Sequence, residues 1–414
     1  MQIKRIAVIG AGPSGMMAAI RASQLNQAVT LFEKNPILGR KLLLSGKGRC
    51  NITNACSLDL FLKRFSKNGE FLRGAFAKFF NQDLIDFFKD RGLELKTERQ
   101  LRVFPVTDSS ASVVEILKKE LIKNKVEVIY KTNIRNIIIE NGAVKSVVLG
   151  NGEFVPFDYV IMATGGVSYS FTGSSGDGLQ IARKIGHNII PLRAGLVPLE
   201  ISEDYSKYLE GLILENIQLK FYSGKDEAVS EVGDLLFTAS GISGPLVLTL
   251  SCKISDWLAQ RREINLRIDL KPGLTYEQLD ARFLREFKLH AKQGLKSVMK
   301  TLLPLRLINL VINMAKIAPN KKVSQITQKE RKELVFLLKG WKLNIKGARP
   351  IEEGMITAGG VDLKEINPRT MESRLFKGLY FCGEMIDVDA DTGGFNLQAA
   401  FSTGYLAGES AALN

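Results

Sequence analysis

The feature that most constrains this chain is the glycine pattern Gly10-x-Gly12-x-x-Gly15. An apolar run precedes it, an Ala- and Met-rich helical stretch follows, and a second apolar run ends at Phe32, directly before Glu33. In dinucleotide-binding folds the first glycine permits a tight turn, the second lets the backbone approach a pyrophosphate, and the third lets helix and strand pack closely. An acid about twenty residues later accepts hydrogen bonds from a ribose. The pattern predicts a strand-helix-strand unit that binds a dinucleotide.

Two later segments repeat the combination of a buried strand and a glycine turn. Residues 158–166 form an apolar run that ends in two glycines. Residues 379–382 form another, followed by Gly383 and Glu384, and Gly393-Gly394 then open an apolar helix. In two-dinucleotide-fold flavoproteins such a late strand and acid contact the ribityl and pyrophosphate groups, and the next helix directs its N-terminus at the flavin. The glycine pattern alone does not separate NAD from FAD, but the three segments in this order favour FAD.

Cysteine and histidine are scarce in this chain of 414 residues. Four cysteines, Cys50, Cys56, Cys252 and Cys382, are too few for the disulfide framework of a secreted protein. The two histidines lie in unrelated contexts, which disfavours a zinc site and a histidine-based catalytic triad. The sequence contains no apolar run of about eighteen residues, the length that predicts a membrane span. We therefore predict a cytoplasmic protein with no metal site and no membrane contact.

The positive charge is concentrated in one region. The formal net charge is +14 at pH 7, from 57 Lys and Arg against 43 Asp and Glu. Residues 281–349 contain seventeen Lys or Arg and three Glu, so this segment carries the whole surplus while the remainder is balanced. A basic field attracts polyanions and contacts phosphates without reading sequence. A solvated helical face that binds nothing is the alternative interpretation.

Six longer motifs carry a resemblance that runs through the whole chain. They are GRKLLLSGKGRCNITN, RVFPVTDSSASVV, VIMATGGVSYSFTGSSGDGLQIA, LLFTASGISGPLVL, ITAGGVDLKEINPRTMES and GLYFCGEMIDVDADTGGFNLQAAFSTG. Together they closely resemble the BaiN/RdsA family of FAD-dependent oxidoreductases, formerly described as aminoacetone-oxidase-like flavoproteins. The resemblance implies an α/β fold: a two-dinucleotide-binding-type, Rossmann-like FAD domain with a parallel sheet, interrupted by a β-barrel-like domain that carries a small helical insert.

The predicted domains follow from this architecture. The FAD-binding domain is expected at 1–193 and 350–414, the β-barrel-like domain at 194–274 and 335–349, and a basic helical insert at 275–334. Independent patterns support the barrel and the insert. In IQLKF (217 to 221) and INLRIDL (264 to 270) apolar and polar residues alternate, as in half-buried strands. Thr275 and Gln278 then form a capping box at a helix start, and Pro304 marks another start.

The motif positions and the resemblance together predict the residues that bind FAD. The set comprises Gly10, Gly12, Pro13, Ser14, Gly15, Glu33, Lys34, Arg40, Lys41, Ser45, Gly46, Arg49, Cys50, Asn51, Ile134, Ala163, Thr164, Gly165, Gly383, Glu384, Gly394, Phe395, Asn396 and Leu397. A second dinucleotide motif is absent from the sequence. NADH or NADPH is therefore expected to bind transiently beside the flavin as electron donor.

The loop at residues 39–54 begins six residues after Glu33, where disulfide reductases of the same superfamily place a redox loop beneath the isoalloxazine. Its cations and glycines would supply donors to the pyrophosphate, and Cys50 with Asn51 would lie near the reactive edge of the flavin. Three interpretations of Cys50 stay open: a catalytic proton donor, half of a redox-active pair with Cys56, or a small packing residue. The C-x5-C spacing and the missing second dinucleotide motif disfavour the redox pair.

Two enzymatic classes and one non-enzymatic class compete for the function. The RdsA branch implies a ribosomal RNA dihydrouridine synthase, in which hydride passes from reduced flavin to C6 of a uracil and an acid protonates C5. A thiol suits that acid step, and Cys50 is the only cysteine in a motif expected at the flavin. The BaiN branch implies a reductase or oxidase of a small molecule, such as an enone, a steroid or an amine. A flavin-bound RNA-binding or assembly factor is the third possibility. The regional charge favours ribosomal RNA or its precursor as partner.

The predicted RNA contacts are cations interleaved with apolar helix positions in the basic segment. They are Lys292, Lys296, Lys300, Lys321, Lys322, Lys329, Arg331 and Lys332.

Overall fold

The structure is a computed structural model that describes residues 3–414, and these form two compact units. The first, here the terminal unit, combines Met1–Gly195, described from residue 3 onward, with Pro350–Asn414. The second, here the central unit, is Leu196–Arg349. The predicted domain boundaries near residues 193 and 350 lie beside these limits.

The strands of both units are numbered in chain order. They are β1 Arg5–Ile9, β2 Ala28–Phe32, β3 Thr53–Asn54, β4 Leu95–Thr97, β5 Arg102–Pro105, β6 Glu127–Ile129, β7 Ile134–Glu140, β8 Ala143–Leu149, β9 Phe154–Pro156, β10 Tyr159–Met162, β11 Ile189–Gly195, β12 Leu199–Ile201, β13 Ile213–Ser223, β14 Asp226–Val229, β15 Gly233–Thr238, β16 Gly241–Ser243, β17 Ile264–Asp269, β18 Trp341–Ala348, β19 Ile356–Val361 and β20 Leu379–Phe381.

The helices are numbered in the same way. They are α1 Pro13–Gln24, α2 Leu58–Leu62, α3 Arg73–Lys78, α4 Asn81–Lys89, α5 Ser110–Lys123, α6 Asp177–Lys184, α7 Ser206–Leu209, α8 Pro245–Ala259, α9 Tyr276–Leu289, α10 Leu295–Met299, α11 Leu305–Met314, α12 Gln328–Gly340 and α13 Phe395–Leu413. Short 3₁₀ segments lie at Leu42–Gly48, Gly69–Leu72, Arg99–Leu101, Ser170–Thr172, Val323–Gln325, Ile351–Glu353, Leu363–Glu365 and Gly383–Met385.

A five-stranded parallel sheet is the centre of the terminal unit. Its strand order is β20-β10-β1-β2-β6, and the pairs within it are parallel. The strands are apolar and largely buried, as is usual for parallel sheets. The predicted Rossmann-like arrangement is confirmed, and it joins strands from both ends of the chain in one sheet.

Helix α13 packs along α1 through two small residues. A Cβ atom added at Gly404 would lie 2.1 Å from the carbonyl oxygen of Ser14, and one at Gly408 would lie 2.3 Å from that of Ala18. Real Cβ atoms do not approach backbone this closely, so only glycine permits this helix spacing. The contact fixes the last helix of the chain against the first.

Three small antiparallel sheets complete the terminal unit. They have the orders β3-β5-β4, β7-β8-β9 and β11-β19. The strand β3 forms the last two residues of the predicted flavin loop, and its pairing with β5 anchors the end of that loop.

The strands of the central unit close into an antiparallel ring. β13 pairs with β15 through its first half and with β17 through its second half, which joins the two ends of the order β13-β15-β16-β12-β18-β17. β14 adds to β13 as a hairpin. Alternate residues of β17 are buried and exposed, as the sequence pattern predicted. The β-barrel-like prediction is therefore confirmed in topology.

Helices α9 to α12 belong to the central unit. Thr275 caps α9 by accepting from the Gln278 amide at 3.2 Å, while the Gln278 side chain accepts from the Thr275 amide at 2.9 Å. Pro304 immediately precedes α11. Both predicted helix starts are confirmed. Because Phe283 of α9 and Ile268 of β17 belong to one apolar core, a separate insert domain at 275–334 stays a prediction.

Among residues 3–414, no helix combines the length and the apolar character needed to cross a membrane.

Candidate FAD site

The carboxyl ends of four neighbouring strands meet at one edge of the parallel sheet. The register aligns Ile9 with both Phe32 and Met162, and Met162 with Phe381. In each strand a predicted site residue follows this position directly or after one residue. Open parallel sheets bind ligands outside their carboxyl ends, where the chain switches direction. The predicted residues from both ends of the chain therefore converge at the edge where a dinucleotide binds.

The three glycines of the first motif have different structural roles. A Cβ at Gly10 would lie 2.6 Å from the Ala163 carbonyl oxygen, and one at Gly15 would lie 1.9 Å from that of Gly10. Gly10 also has φ of +101°, a backbone conformation that residues with a side chain rarely adopt. In contrast, no atom of the described chain lies within 4 Å of the Cβ position of Gly12. Packing explains the first and third glycines, and Gly12 leaves open space in front of α1.

Two long helices start without a side-chain cap. The residues before α1 and α13 are Gly12 and Gly394, which have no side chain to accept from the first amides of the helix. Neither helix has an acid in its first turn within the described residues. The first amides of a helix then remain available to an anion, and the helix dipole favours negative charge there. Pro13 and Ser14 form the first turn of α1. These two starts match what a pyrophosphate and a reduced flavin require.

Glu33 is held rigidly at the end of β2. It is 7% exposed, and its Oε2 accepts from the Ala11 amide at 2.9 Å. Its Oε1 accepts from both the amide and the side-chain Nδ2 of Asn35, each at 2.7 Å. The carboxylate thus joins the glycine turn to the segment after β2, in the place predicted for the ribose acceptor.

Lys41 and Glu384 form the centre of a polar network. The Lys41 Nζ donates to Glu384 at 2.6 and 2.9 Å and to Ser168 Oγ at 2.6 Å. Glu384 Oε1 also accepts from the Thr357 amide at 2.6 Å and from Ser168 Oγ at 3.0 Å. We predicted Lys41 as a donor to the pyrophosphate and Glu384 as a ribityl contact, and the structure shows the two side chains paired with each other.

Ser168 and Thr357 were missed in the sequence analysis. Thr357 Oγ1 accepts from the amides of Val167 and Ser168, at 2.8 and 3.1 Å, and both side chains are buried. They connect the glycine turn after β10 to β19 and hold Glu384 in place. The quoted motifs VIMATGGVSYS and ITAGG contain them, so the signal was present, but neither residue type is diagnostic alone.

Two predicted cations beside the first motif are bound to protein groups. Lys34 Nζ pairs with Asp177 Oδ2 at 2.8 Å, and this pair is half-exposed. Arg40 Nη1 donates to the Asn35 side-chain oxygen at 3.1 Å. Arg40 is exposed, so its other donors remain available to a phosphate.

Arg49 fastens the flavin loop to the segment around β5. Its guanidinium pairs with Glu98 and donates to Asp108 at 2.6 and 2.8 Å. It also lies 4.3 Å from the centroid of the Phe104 ring. The two carboxylates raise the pKa of Arg49, so its charge is retained. We expected a cofactor contact, and the structure places Arg49 in an ion-pair cluster.

Cys50 is enclosed by its own loop. The side chain has 0% exposure, the residue has φ of +61°, and its amide donates to the Ser45 carbonyl at 3.0 Å. Burial raises the pKa of the thiol to about 12, opposed by a hydrogen bond to Ser45. The thiol is therefore protonated at neutral pH, whereas a redox pair needs a thiolate. Within residues 3–414 all four cysteines are free.

The side-chain oxygen of Asn51 is a buried hydrogen-bond acceptor. Its Oδ1 is enclosed and has no hydrogen-bond partner among the described residues. The adjacent Gly46 has φ of +58°, and a Cβ there would lie 3.0 Å from the Asn51 amide. An unpaired buried oxygen costs about 1 to 3 kcal/mol. A ligand N–H or O–H at this loop would remove that penalty.

The start of α13 is shaped by three predicted residues. Gly394 has φ of +97°, and a Cβ there would lie 2.4 Å from the Thr53 carbonyl. The Phe395 ring packs 4.7 Å from that of Phe61. Asn396 Nδ2 donates to the Ala390 carbonyl at 2.8 Å, and its Oδ1 accepts from the Ala390 amide at 2.9 Å. These contacts orient the helix start, and Leu397 is partly buried against the core.

The remaining predicted residues occupy different surroundings. Thr164 Oγ1 contacts Met385 Sδ at 3.1 Å, and Gly165 has φ of +76°. Gly383 approaches Ser14 so closely that a Cβ would lie 2.3 Å from its Oγ. Ile134 is buried at the start of β7, which belongs to a separate antiparallel sheet. The first three lie at the carboxyl edge, and Ile134 does not belong to the parallel sheet.

The predicted RNA contacts of the central unit divide into two groups. Lys321 pairs with Glu330 at 2.7 Å, and Arg331 pairs with Asp280 at 2.7 Å, so these two cations hold helices together. The other six are exposed, namely Lys292, Lys296, Lys300, Lys322, Lys329 and Lys332.

The residues present fit FAD. Gly12 leaves open space at an uncapped helix start, the buried Asn51 oxygen needs a donor, and Glu33 lies where a ribose acceptor belongs. Among residues 3–414, no group of three or more His, Cys, Asp or Glu side chains is placed to hold a metal ion.

Comparison with known proteins gives the same result. The chain matches the family model described as HI0933-like protein Rossmann domain over residues 4–410. It is 31% identical over 412 residues to the 3-dehydro-bile acid delta(4,6)-reductase of Clostridium scindens, covering 99% of each chain. It is 33% identical over 403 residues to the ribosomal RNA dihydrouridine synthase of Haemophilus influenzae, covering 96% of each chain.

A solved structure shares the fold. The 3-ketosteroid delta1-dehydrogenase of Sterolibacterium denitrificans aligns over 100% of both chains, with a TM-score of 0.50 and 14% identity. The resemblance to the BaiN/RdsA family is confirmed by the family model and the relatives. The chain therefore belongs to the HI0933-like family of FAD-dependent oxidoreductases.

Proposed function

We propose that this protein reduces the C5=C6 bond of a uracil in ribosomal RNA or its precursor to give dihydrouridine. The observation that carries this proposal is the basic surface of the central unit. Six predicted contact lysines are exposed, and none of the ion pairs found among the described residues uses them. A polyanionic substrate accounts for such a surplus, because each phosphate contact releases counterions. A small apolar substrate has no need of it.

The reaction balances with a nicotinamide nucleotide as the reductant. NADH or NADPH supplies a hydride, the medium supplies a proton, and uracil gains both across C5=C6 while NAD⁺ or NADP⁺ leaves. FAD, when bound, relays the hydride between the two. The uracil has to leave its base stack to be reached, which costs a few kcal/mol that phosphate contacts offset.

The chain's own residues have defined tasks in this proposal. Gly12 and the start of α1 receive the pyrophosphate, Glu33 the ribose, and the start of α13 a developing negative charge. Cys50 is the proposed donor of the C5 proton, and its raised pKa keeps the thiol in the protonated form that a donor needs. Because the thiol has no exposed surface, donation requires a local movement that exposes it.

A second candidate is reduction of a small conjugated ketone. The relative from Clostridium scindens, 31% identical over 99% of this chain, is named as a reductase of a 3-dehydro bile acid. Both reactions reduce a C=C bond conjugated to a carbonyl, so one flavin site serves either. The charged surface distinguishes them and favours RNA.

The test of this proposal is a comparison of ribosomal RNA from cells with and without the gene. We expect one dihydrouridine to disappear on deletion and to return with the wild-type gene. A Glu33→Ala gene serves as the cofactor-impaired control. Identical dihydrouridine content in all strains would overturn the RNA proposal and leave the small-ketone candidate.

A further inference from the structure

Helix α12 presents two charged faces of different character. On one face Glu330 pairs with Lys321 and Arg331 pairs with Asp280, so these charges are used inside the central unit. On the other face five residues line an open depression of about 380 Å³: Gln328, Lys329, Lys332, Glu333 and Phe336. No ion pair among the described residues uses Lys329 or Lys332. Ion pairs within the central unit therefore account for the charges of the first face but not for those of the second.

An exposed aromatic pair lies at the end of this depression. Phe336 is 57% exposed and Tyr276 of α9 is 43% exposed. Their ring centroids are 5.5 Å apart with the planes tilted by 52°. Single exposed apolar residues are ordinary on protein surfaces. Two adjacent exposed rings next to unpaired lysines are a more specific combination.

The contacts of the Tyr276 ring hold it in a defined position. Thr275 caps α9 directly before Tyr276, and Lys339 Nζ lies 5.8 Å from the Tyr276 ring centroid. Lys339 is itself fixed by Asp269 at 2.7 Å and by the Leu274 carbonyl at 2.5 Å. Both rings therefore project from helices, Tyr276 from α9 and Phe336 from α12.

We infer that this depression is a subsite for one unpaired nucleotide of single-stranded RNA, with the base stacked on Phe336 and flanking phosphates at Lys329 and Lys332. This inference rests on the proposed function and adds an anchoring point for the RNA. Proteins bind single strands by combining aromatic stacking with a basic groove, because every base has a stacking face. Glu333 and Gln328 supply acceptor and donor groups for a base edge.

Residue spacing on α12 supports this assignment. Gln328, Lys332 and Phe336 are separated by four residues each, so they share one stripe of the helix. Lys329 and Glu333 form the neighbouring stripe. The stripe orders an amide, a cation and an aromatic ring along about 12 Å of helix. The two lysines outweigh Glu333, so the net positive charge favours a polyanion, and the exposed ring favours one with accessible bases.

The test measures binding of the FAD-loaded full chain to a fluorescent uridine-rich single strand and to a duplex of the same length. Phe336→Ala is expected to weaken single-strand binding about tenfold. It should leave duplex binding and the salt dependence unchanged, because no phosphate contact is lost. Phe336→Trp should retain binding. Phe336→Leu should lose it, since leucine keeps the apolar surface but not the stacking face.

Leu289→Ala is the matched control, because Leu289 is also an exposed apolar residue of the central unit, at 76% exposure. It should bind both RNAs as the wild type does. Wild-type affinity in Phe336→Ala, or retention in Phe336→Leu, would overturn the subsite. If either occurs while the enzyme still forms dihydrouridine, the proposed function stands without it. If the wild type neither binds the single strand nor forms dihydrouridine, both proposals fail.

Discussion

The terminal and central units hold their functional residues in opposite ways. In the terminal unit Glu33, Lys41 and Glu384 are bonded to neighbouring protein groups, and each has a defined position at the end of a parallel strand or in the flavin loop. In the central unit the six exposed lysines, three on helices α10 and α12 and three in the connecting segments, take part in none of the ion pairs found among the described residues. A cofactor of fixed shape requires preorganised contacts, whereas phosphates along an RNA require only sufficient positive charge. The first kind of site therefore depends on geometry and the second on electrostatics.

The largest expected effect concerns the central unit. Replacement of Lys292, Lys296, Lys300, Lys322, Lys329 and Lys332 by glutamine should weaken RNA binding about 10³-fold near physiological salt, because up to six phosphate contacts are lost. The slope of log affinity against log salt should fall by about 0.7 to 0.9 for each lost contact. Filter binding across a salt series measures both quantities, and FAD content should stay at the wild-type level.

The matched control changes the same number of charges in the terminal unit. Lys63, Lys89, Lys118, Lys119, Lys125 and Lys131 are exposed there, and their replacement by glutamine gives the same net charge. This variant should bind RNA with nearly wild-type affinity. Equal weakening by both sets would mean that only total charge matters, and no weakening by either would make the central surface a solvated face.

A second prediction concerns Cys50. Cys50→Ala should keep FAD bound and its reduction by NADH or NADPH unchanged, while reduction of the uracil slows about 10²-fold for loss of the proton donor. Stopped-flow spectroscopy follows the two half-reactions separately. Cys382→Ala is the control, since that thiol is equally buried and its pKa is also raised to about 12. Unchanged uracil reduction in Cys50→Ala would assign Cys50 to packing.

Cys50 also shows what the sequence could and could not predict. The parallel sheet, both helix starts and the glycine turns were readable because each depends on local stereochemistry: a tight turn or a close approach admits only glycine. The pairing of Lys41 with Glu384, 343 residues apart, was not readable, since it depends on how β20 and the loop meet in three dimensions. The enclosure of the Cys50 thiol is of the same kind.

In the basic segment the net charge could be read from the sequence, but the cations that are paired within the central unit could not be identified. Lys321 and Arg331 resemble their neighbours in sequence, yet each is paired within the central unit. Phe336 was not noticed because its helix position is also compatible with burial, and only the structure shows 57% exposure.

A third prediction returns to the terminal unit. Glu33→Ala should weaken FAD binding about 10- to 100-fold, because hydrogen bonds to a charged acceptor contribute about 1.5 to 3 kcal/mol. Titration of the apoprotein with FAD, followed by flavin fluorescence, measures the affinity. Glu127→Ala is the control, since Glu127 begins β6 of the same sheet and accepts from the partly buried Thr30 hydroxyl at 2.8 Å. Full FAD affinity in Glu33→Ala would remove Glu33 from the site.

The smallest expected effect is a difference between the two units in how their stability responds to acid pH. His187, buried in the terminal unit, contacts Glu365 at 2.8 Å and Ser373 at 3.1 Å, and burial lowers its pKa below 6.5. The unfolded chain therefore takes up the proton first as the pH falls through about 6.5, so stability present above that pH is lost below it.

The two units can be monitored independently in this experiment. Trp257 and Trp341, the chain's two tryptophans, both belong to the central unit, whereas release of FAD reports on the terminal unit. Between pH 7 and about pH 5.5 the thermal midpoint of flavin release should fall more than that of tryptophan fluorescence. His187→Asn should remove part of this difference. Parallel shifts of both signals in wild type and variant alike would contradict the assignment.

The most direct measurement of the central claim is reconstitution with purified components. FAD-loaded protein, NADH or NADPH and ribosomal RNA lacking dihydrouridine are incubated, and nucleosides are analysed by mass spectrometry, with a conjugated steroid ketone supplied in a parallel reaction. We predict dihydrouridine at one position of the RNA, lost in the six-lysine variant and retained in its terminal-unit control. Rapid reduction of the ketone with no dihydrouridine in the RNA would contradict it.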